Sequence, residues 1–177
     1  MTDKQEKTVH NLLVFADNFQ FHLQDQLADV DYADNWNDSL LTRLFACGDK
    51  VVGIGTMRDL DCEVTLEIYD NPMESQFMHQ DPEMEFADHV AQCNIEIPSG
   101  KLMITGCITD PEDTIKIAVA PGHYGVRVFW SNLEKTDQLG FEGEDHYLVQ
   151  LWPDTYFDEI ILKYWRQLIF LMSAPSD

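Results

Sequence analysis

Short stretches of alternating or continuous apolar residues, separated by turn residues, run along most of the chain. Residues 19–24 (FQFHLQ) alternate apolar and polar side chains, which is typical of a half-buried β-strand and places His22 on its solvent side. Proline and glycine separate later stretches, most clearly at Pro98–Gly100 and Pro121–His123. Further strands are predicted at Val51–Arg58, Glu63–Tyr69, His89–Ile97, Leu102–Thr109, Thr114–Val119, Tyr124–Trp130, Tyr147–Trp152 and Glu159–Trp165.

One segment has helical spacing instead. Apolar residues recur at helical intervals between residues 40 and 45, after Asp38 as a predicted N-cap and before Gly48 as a predicted stop. The remaining strands predict an all-β fold, a sandwich of two antiparallel sheets with one short helix. The alternating helices that a parallel α/β sheet requires are missing. At 177 residues, we expect one sandwich domain over residues 1–177.

The chain is strongly acidic, with 32 Asp and Glu against 11 Lys and Arg and a formal net charge of −21. Nucleic acids and anionic membranes attract clustered Lys and Arg, so this balance argues against direct binding to either. No apolar run approaches the roughly 20 residues of a membrane span, and the opening residues lack a secretory signal pattern. The four cysteines have no CxxC spacing and are expected to be buried structural thiols, so we predict a cytoplasmic protein.

Much of the negative charge lies in one part of the chain. Residues 51–100 contain eleven acidic residues and one basic residue, a net charge of −10. Within this stretch, residues 70–88 (DNPMESQFMHQDPEMEFAD) mix proline, methionine and acidic residues without a helical or strand period. The sequence therefore predicts a long acidic loop at about residues 70–88, between two strands.

No pattern of catalytic residues is present. The glycines at Gly53 and Gly55 lie inside a predicted strand, so they cannot present a helix N-terminus to a phosphate group. The six histidines form no metal-binding spacing, and no serine or cysteine occupies a recognised nucleophile motif. We predict a protein that is not an enzyme and has no cofactor. Arg127 is expected either on the solvent face of its strand or paired with a carboxylate such as Asp145.

The acidic surface itself is the candidate site. A field of carboxylates accelerates association with a cationic protein, and it can imitate the charge of nucleic acid in a basic cleft. The alternative is that these acids only provide solubility and protect strand edges. The predicted partner-binding residues are Glu74, Asp81, Glu83, Glu85 and Asp88, with Asp29, Asp31 and Asp34 as a second group.

Two carboxylate clusters support a second hypothesis, a divalent-metal or small-ligand site. Residues 29–38 hold acids at uneven intervals but lack the central glycine and distal glutamate of an EF-hand loop. Residues 140–145 (GFEGED) are more compact. Hard cations need six or more oxygens from converging segments, so no metal ligand is assigned.

Four short sequence segments resemble those of known proteins: Asp17–Asp25, Cys93–Cys107, Pro121–Trp130 and Gly143–Pro153. They resemble a family of small acidic bacterial proteins, mostly uncharacterised. Their order, an aromatic-Gln-Phe strand, a Pro-Gly-x-Tyr turn and an Asp-x-Tyr strand, is remotely similar to the competence protein J family, inhibitors of a partner DNA-entry nuclease. The chain departs from that family in its length, its acidity and the insertion at 70–88, so no binding residue is carried over.

The resemblance and the charge together predict a function. We expect a non-enzymatic inhibitory protein, similar to immunity proteins and antitoxins, that neutralises a basic partner such as a nuclease-type toxin. The oligomeric state stays open at this point.

Overall fold

The computed structural model describes residues 6–29, 36–73, 80–154 and 158–168, most of which form two β-sheets packed face to face. This confirms the predicted all-β sandwich. In chain order the elements are β1 (Lys7–Phe15), β2 (Gln20–Asp25), α1 (Trp36–Arg43), β3 (Phe45–Cys47), β4 (Val51–Gly55), β5 (Asp61–Tyr69), α2 (Glu83–Phe86), β6 (His89–Ile97), β7 (Lys101–Thr105), β8 (Ile115–Ala118), β9 (Gly122–Ser131), β10 (His146–Pro153) and β11 (Ile160–Lys163).

The two sheets differ in size and in strand direction. The larger sheet has the order β1-β5-β10-β9-β6-β11, and the smaller has the order β3-β4-β2-β7-β8. Every pair of neighbours is antiparallel except β5 and β10, which run parallel. A hairpin cannot join parallel neighbours, and here the chain from residue 70 to residue 145 lies between the two strands. The sandwich is thus antiparallel with one parallel pair inside its larger sheet, next to the edge strand β1.

The hydrophobic core fills the space between the sheets. Trp130 of β9 lies fully buried there and donates a hydrogen bond from Nε1 to the carbonyl oxygen of Gly55 in the opposite sheet, at 2.8 Å. Its ring meets Phe45 edge-on, with centroids 5.9 Å apart. Burying a large apolar side chain contributes roughly 1.5–3 kcal/mol. Other fully buried members are Phe21, Leu23, Ile54, Leu66, Ile95, Ile97 and Tyr147.

The helix is shorter than its sequence pattern predicts. α1 ends at Arg43, because Leu44 has a φ of +54° and the next three residues form the edge strand β3. Leu44 and Phe45 are buried in the core, so packing between the sheets overrides their helical spacing. The predicted N-cap is also wrong, since Asp38 lies inside the first turn of α1.

His22 is buried, and its predicted exposure to solvent is wrong. Its neighbours Phe21 and Leu23 face the core, as the alternation indicates, but α1 covers the other face of β2. The rings of Trp36 and His22 meet edge-on, with their centroids 5.6 Å apart. The Trp36 ring also lies against Gly53, where a Cβ atom would come within 2.4 Å of Trp36 Cζ2. A pattern of period two shows which residues share a face but not whether that face is covered.

The predicted loop at 70–88 contains one helical turn, α2, among its described residues. The four cysteines are free thiols; Cys62 and Cys93 are buried, and Cys47 and Cys107 are partly exposed. In the described part of the chain, no helix is long and apolar enough to cross a membrane.

Candidate partner-binding surface

A row of polar side chains crosses the outer face of the six-stranded sheet. The strand register places Gln92 of β6 beside Arg127 of β9, and Gln150 of β10 between Arg127 and Glu67 of β5. Arg127 is fully buried, and Gln92 and Gln150 are almost so. Buried polar groups need hydrogen-bond partners, so each buried side chain of this row must find one near the sheet.

Arg127 has its partners within the sheet. Its Nε and Nη2 donate to Gln92 Oε1 at 3.1 and 2.9 Å, and its guanidinium lies 5.6 Å from the ring centroid of Trp152. The indole reaches this position because residue 125 is glycine, where a Cβ atom would lie 2.3 Å from Trp152 Cε2. Burial lowers the pKa of Arg127, while the negative charge of Asp81 opposes that effect. The arginine therefore remains a buried cation facing the acidic residues above the sheet.

Asp81 connects the acidic stretch to this row. Its Oδ2 accepts a hydrogen bond from Gln150 Nε2 at 3.0 Å, and the same nitrogen lies 3.3 Å from Glu67 Oε2. Tyr69 donates its hydroxyl proton to Glu67 at 2.9 Å, and Lys7 forms an ion pair with Glu67. Burial and the adjacent carboxylate of Glu67 raise the pKa of Tyr69, so its hydroxyl stays protonated as a donor.

Residues 80–88, called the acidic segment below, are held at both ends by carboxylates. Asp81 Oδ1 accepts a hydrogen bond from the backbone N–H of Glu83 at 3.0 Å, at the start of α2. Asp88 Oδ2 accepts one from the backbone N–H of Leu133 at 3.0 Å. Two of the predicted partner-binding residues therefore have structural roles in positioning the segment.

The middle of the acidic segment rests on the sheet. Met84 and Ala87 pack with Phe129 in a small apolar cluster on the outer face. Lys163 of β11 donates from Nζ to the carbonyl oxygens of Met84, at 3.0 Å, and Ala87, at 2.5 Å. These contacts fix the backbone of α2, although a helix this short has no independent stability.

The remaining side chains of the segment point into solvent. Glu83 and Glu85 are exposed. Phe86, the last residue of α2, is 71% exposed. Aromatic side chains are enriched at protein–protein interfaces. The sequence pointed to the carboxylates here, whereas no sequence signal distinguished Phe86 from a core residue.

The structure brings Asp81, Glu83, Glu85 and Asp88 together in one segment. The other four predicted residues have a different outcome. Glu74, Asp31 and Asp34 lie outside the described residues. Asp29 is exposed after β2, a strand of the five-stranded sheet, and so belongs to the other layer of the sandwich.

Asp145, the last residue of the compact acidic cluster at 140–145, is committed to other partners. Asp145 Oδ1 pairs with Arg58 Nε at 2.6 Å, and its Oδ2 accepts the hydroxyl proton of Tyr147 at 2.5 Å. The predicted pairing of Arg127 with Asp145 is therefore wrong, because Asp145 bonds Arg58 instead. Among the described residues, no group of three His, Cys, Asp or Glu side chains converges as a metal site would require.

A second candidate is the cavity of about 760 Å³ between α1 and the five-stranded sheet. His22 Nε2 lies 2.9 Å from Gln20 Oε1, which also accepts from Trp36 Nε1 at 3.1 Å, and Cys107 Sγ lies 3.8 Å from the same imidazole. Burial lowers the pKa of His22 to about 4 and raises that of Cys107 to about 12. Both groups are neutral near pH 7, so this pair lacks the thiolate that nucleophilic chemistry needs.

The chain is thus a sandwich with an anchored acidic segment, and two solved structures share its fold. No protein-family model matches the chain, and no curated protein matches it. ComJ, an inhibitor of the DNA-degrading activity of NucA from Bacillus subtilis, has a TM-score of 0.58 at 10% identity, covering 83% of this chain and 99% of its own. The protein of crocagin biosynthetic gene J has a TM-score of 0.52 at 15% identity, covering 85% and 99%. These likenesses show the fold, and they confirm the remote similarity to competence protein J.

Proposed function

We propose that this protein is a non-enzymatic inhibitor that binds a basic nuclease and blocks its nucleic-acid cleft with the acidic segment. The observation that carries the proposal is a fixed backbone presenting free side chains. Asp81, Asp88 and Lys163 hold the segment on the sheet, while Glu83 and Glu85 project into solvent. A prepositioned pair of carboxylates loses little conformational freedom when it binds.

Two further facts support this function. The net charge of −21 would speed encounter with a cationic partner by about 10–10³-fold at low salt. ComJ, which shares the fold, is an inhibitor of a DNA-degrading activity. The metal-binding alternative rested in part on the carboxylates at 140–145, where Asp145 already bonds Arg58 and Tyr147.

The first experiment is recovery of the partner. Tagged protein purified from its native cells at about 50 mM salt should retain a basic protein that cleaves DNA, and about 500 mM salt should release it. Added back, the purified protein should stop the cleavage at equimolar concentration. A co-purifying partner without nuclease activity, or a nuclease that cleaves equally fast with and without the protein, would refute the proposal.

The second experiment locates the interface. Glu83→Lys with Glu85→Lys should weaken inhibition by at least about tenfold, because each reversal replaces an attraction with a repulsion. The matched control is Glu112→Lys with Asp113→Lys, which changes the same charge at exposed positions before β8. Asp81 and Asp88 are left intact in both variants, since replacing them would disturb the segment itself. Equal inhibition by the two variants would exclude the acidic segment as the interface.

A further inference from the structure

The edges of the two sheets are protected unequally. β3 has three residues, while β8 and β11 have four each and carry Lys116 and Lys163, so all three follow the usual protection of free edges by shortness or lysine. β1 is also an edge strand, since it pairs only with β5 in the described sheet. It has nine residues, and after Lys7 it contains no Asp, Glu, Lys or Arg. Among the edge strands described, β1 is therefore the one best suited to pair with a further strand.

Both faces of β1 carry apolar side chains. On the outer face Val9, Leu13 and Phe15 are 47%, 62% and 39% exposed. On the inner face Leu12 and Val14 point toward the core. The run Leu12–Phe15 is continuous and apolar, a pattern typical of a strand that is covered on both of its faces. At an edge, this pattern leaves apolar surface uncovered on the outer face.

A groove borders the inner face of β1. It has a volume of about 790 Å³ and lies between β1 and β8, the edge strands of the two sheets on this side of the sandwich. Leu12, Ile68, Ile115, Ile117 and Val119 line it and are only partly buried. A strand added to β1 would place alternate side chains into this groove and close the core.

The charge beside β1 defines the chemistry of the added strand. In the register of β1 with β5, Leu13 lies opposite Glu63 and Phe15 lies opposite Asp61, and both carboxylates are exposed. A strand on the free side of β1 would lie about 10 Å from β5, two strand spacings, which Lys and Arg side chains can span. Their methylene stems would cover Leu13 and Phe15 while their charges reach the carboxylates. A second copy of this chain fits poorly, because it brings another charge of −21.

We propose that β1 accepts an extended segment of the basic partner as an additional strand, with apolar side chains in the groove and lysine or arginine on the outer face. This inference rests on the proposed function for the charge of the partner. Backbone hydrogen bonds to the free edge would supply much of the affinity, and the groove would select the apolar positions.

The test uses a defined probe, a nine-residue peptide of alternating lysine and valine, matched to the length of β1. Binding should slow amide hydrogen exchange at alternate residues of β1, since every second amide of an edge strand points outward. The same peptide methylated on each backbone nitrogen keeps its side chains but cannot donate, so it should bind at least about tenfold more weakly. Slowed exchange only outside β1, equal binding of the methylated peptide, or no detectable binding would overturn the inference.

Protein variants provide the matched comparison. Val9→Lys with Leu13→Lys should weaken peptide binding by at least about tenfold through repulsion and loss of apolar contact. Leu27→Lys with Leu139→Lys adds the same charge at sites 65% and 67% exposed and should leave binding unchanged. If the first pair fails to fold, the exchange data on the wild-type protein still decide. Wild-type protein that dimerises through β1, seen by sedimentation and by protected β1 amides without peptide, would also overturn the inference. No nuclease enters these measurements, so their failure is separate from failure of the proposed function.

Discussion

At the scale of single residues, His89 joins three parts of the chain through its two ring nitrogens. Nε2 donates to the carbonyl oxygen of Arg43 at 2.7 Å, at the end of α1. Nδ1 accepts the backbone N–H of Trp165 at 3.2 Å, after β11. Since one nitrogen donates and the other accepts, a second proton on the ring would face an N–H group. Burial lowers the pKa of His89 to about 4.

This arrangement predicts acid sensitivity. The unfolded chain binds a proton at this histidine near pH 6.5, whereas the folded chain binds it near pH 4. The unfolded state therefore holds more protons between these values, and the free energy of unfolding should fall as the pH drops from about 6.5 to 4, by roughly 3 kcal/mol for His89. An NMR titration of the His89 ring should give a midpoint near 4 in the folded protein and near 6.5 in urea. A folded-state midpoint above about 6 would contradict the prediction.

At the scale of elements, Lys163 is the contact between β11 and the acidic segment. Its ammonium donates to the carbonyl oxygen of Met84, in α2, and to that of Ala87, directly after α2. An edge strand therefore contributes to holding the segment, together with the contacts of Asp81 and Asp88 and the packing of Met84 and Ala87.

Lys163→Met should loosen the acidic segment while preserving the sandwich. The variant removes two charge-assisted hydrogen bonds, so we expect amide exchange at residues 83–88 to become at least about tenfold faster and global stability to fall by about 1–2 kcal/mol. Hydrogen exchange read by mass spectrometry gives the first value and urea unfolding the second. Lys116→Met, on an exposed residue of β8, is the control and should change neither. Unchanged exchange in the segment would show that its other contacts hold it without Lys163.

The elements that local sequence determines were predicted well, and those that depend on distant packing were not. β6 has the predicted bounds, His89–Ile97, because apolar alternation and the turn at 98–100 delimit it locally. The end of α1 was missed because burial of Leu44 stops the helix. The sequence left Arg127 either on the solvent face or paired with a carboxylate, but it is buried and bonded to Gln92 of a neighbouring strand, 35 residues earlier. The structural contacts of Asp81 and Asp88 could not be predicted, because a carboxylate that anchors backbone looks the same in sequence as one that binds a partner.

At the scale of the whole molecule, the charge of −21 acts on stability as well as on binding. The folded chain concentrates this charge on a compact surface, and self-repulsion destabilises it relative to the expanded unfolded chain. The few ion pairs of the described residues, such as Arg43 with Glu159 and Lys135 with Glu144, offset little of it.

Salt should therefore stabilise this protein. Raising NaCl from about 20 to 200 mM shortens the screening length roughly threefold, and we expect the free energy of unfolding to rise by about 1 kcal/mol. Urea unfolding at the two concentrations gives the value. The same salt should weaken the complex with a basic partner, so stability and affinity should move in opposite directions. A decrease in stability with salt would mean that attractive pairs dominate the surface.

The parallel pairing of β5 with β10 has a consequence for how the protein is made. β5 is complete at residue 69, but its inner neighbour in the sheet begins only at residue 146. β1 and β5 can pair with each other early, yet they cannot join the rest of the larger sheet until β10, which begins at residue 146, has left the ribosome. Such non-local pairing slows folding, because a long loop must close before its contacts form. The nascent chain thus carries this pair of strands apart from the rest of its sheet while residues 70–145 are made, and chaperone engagement should be concentrated in that interval.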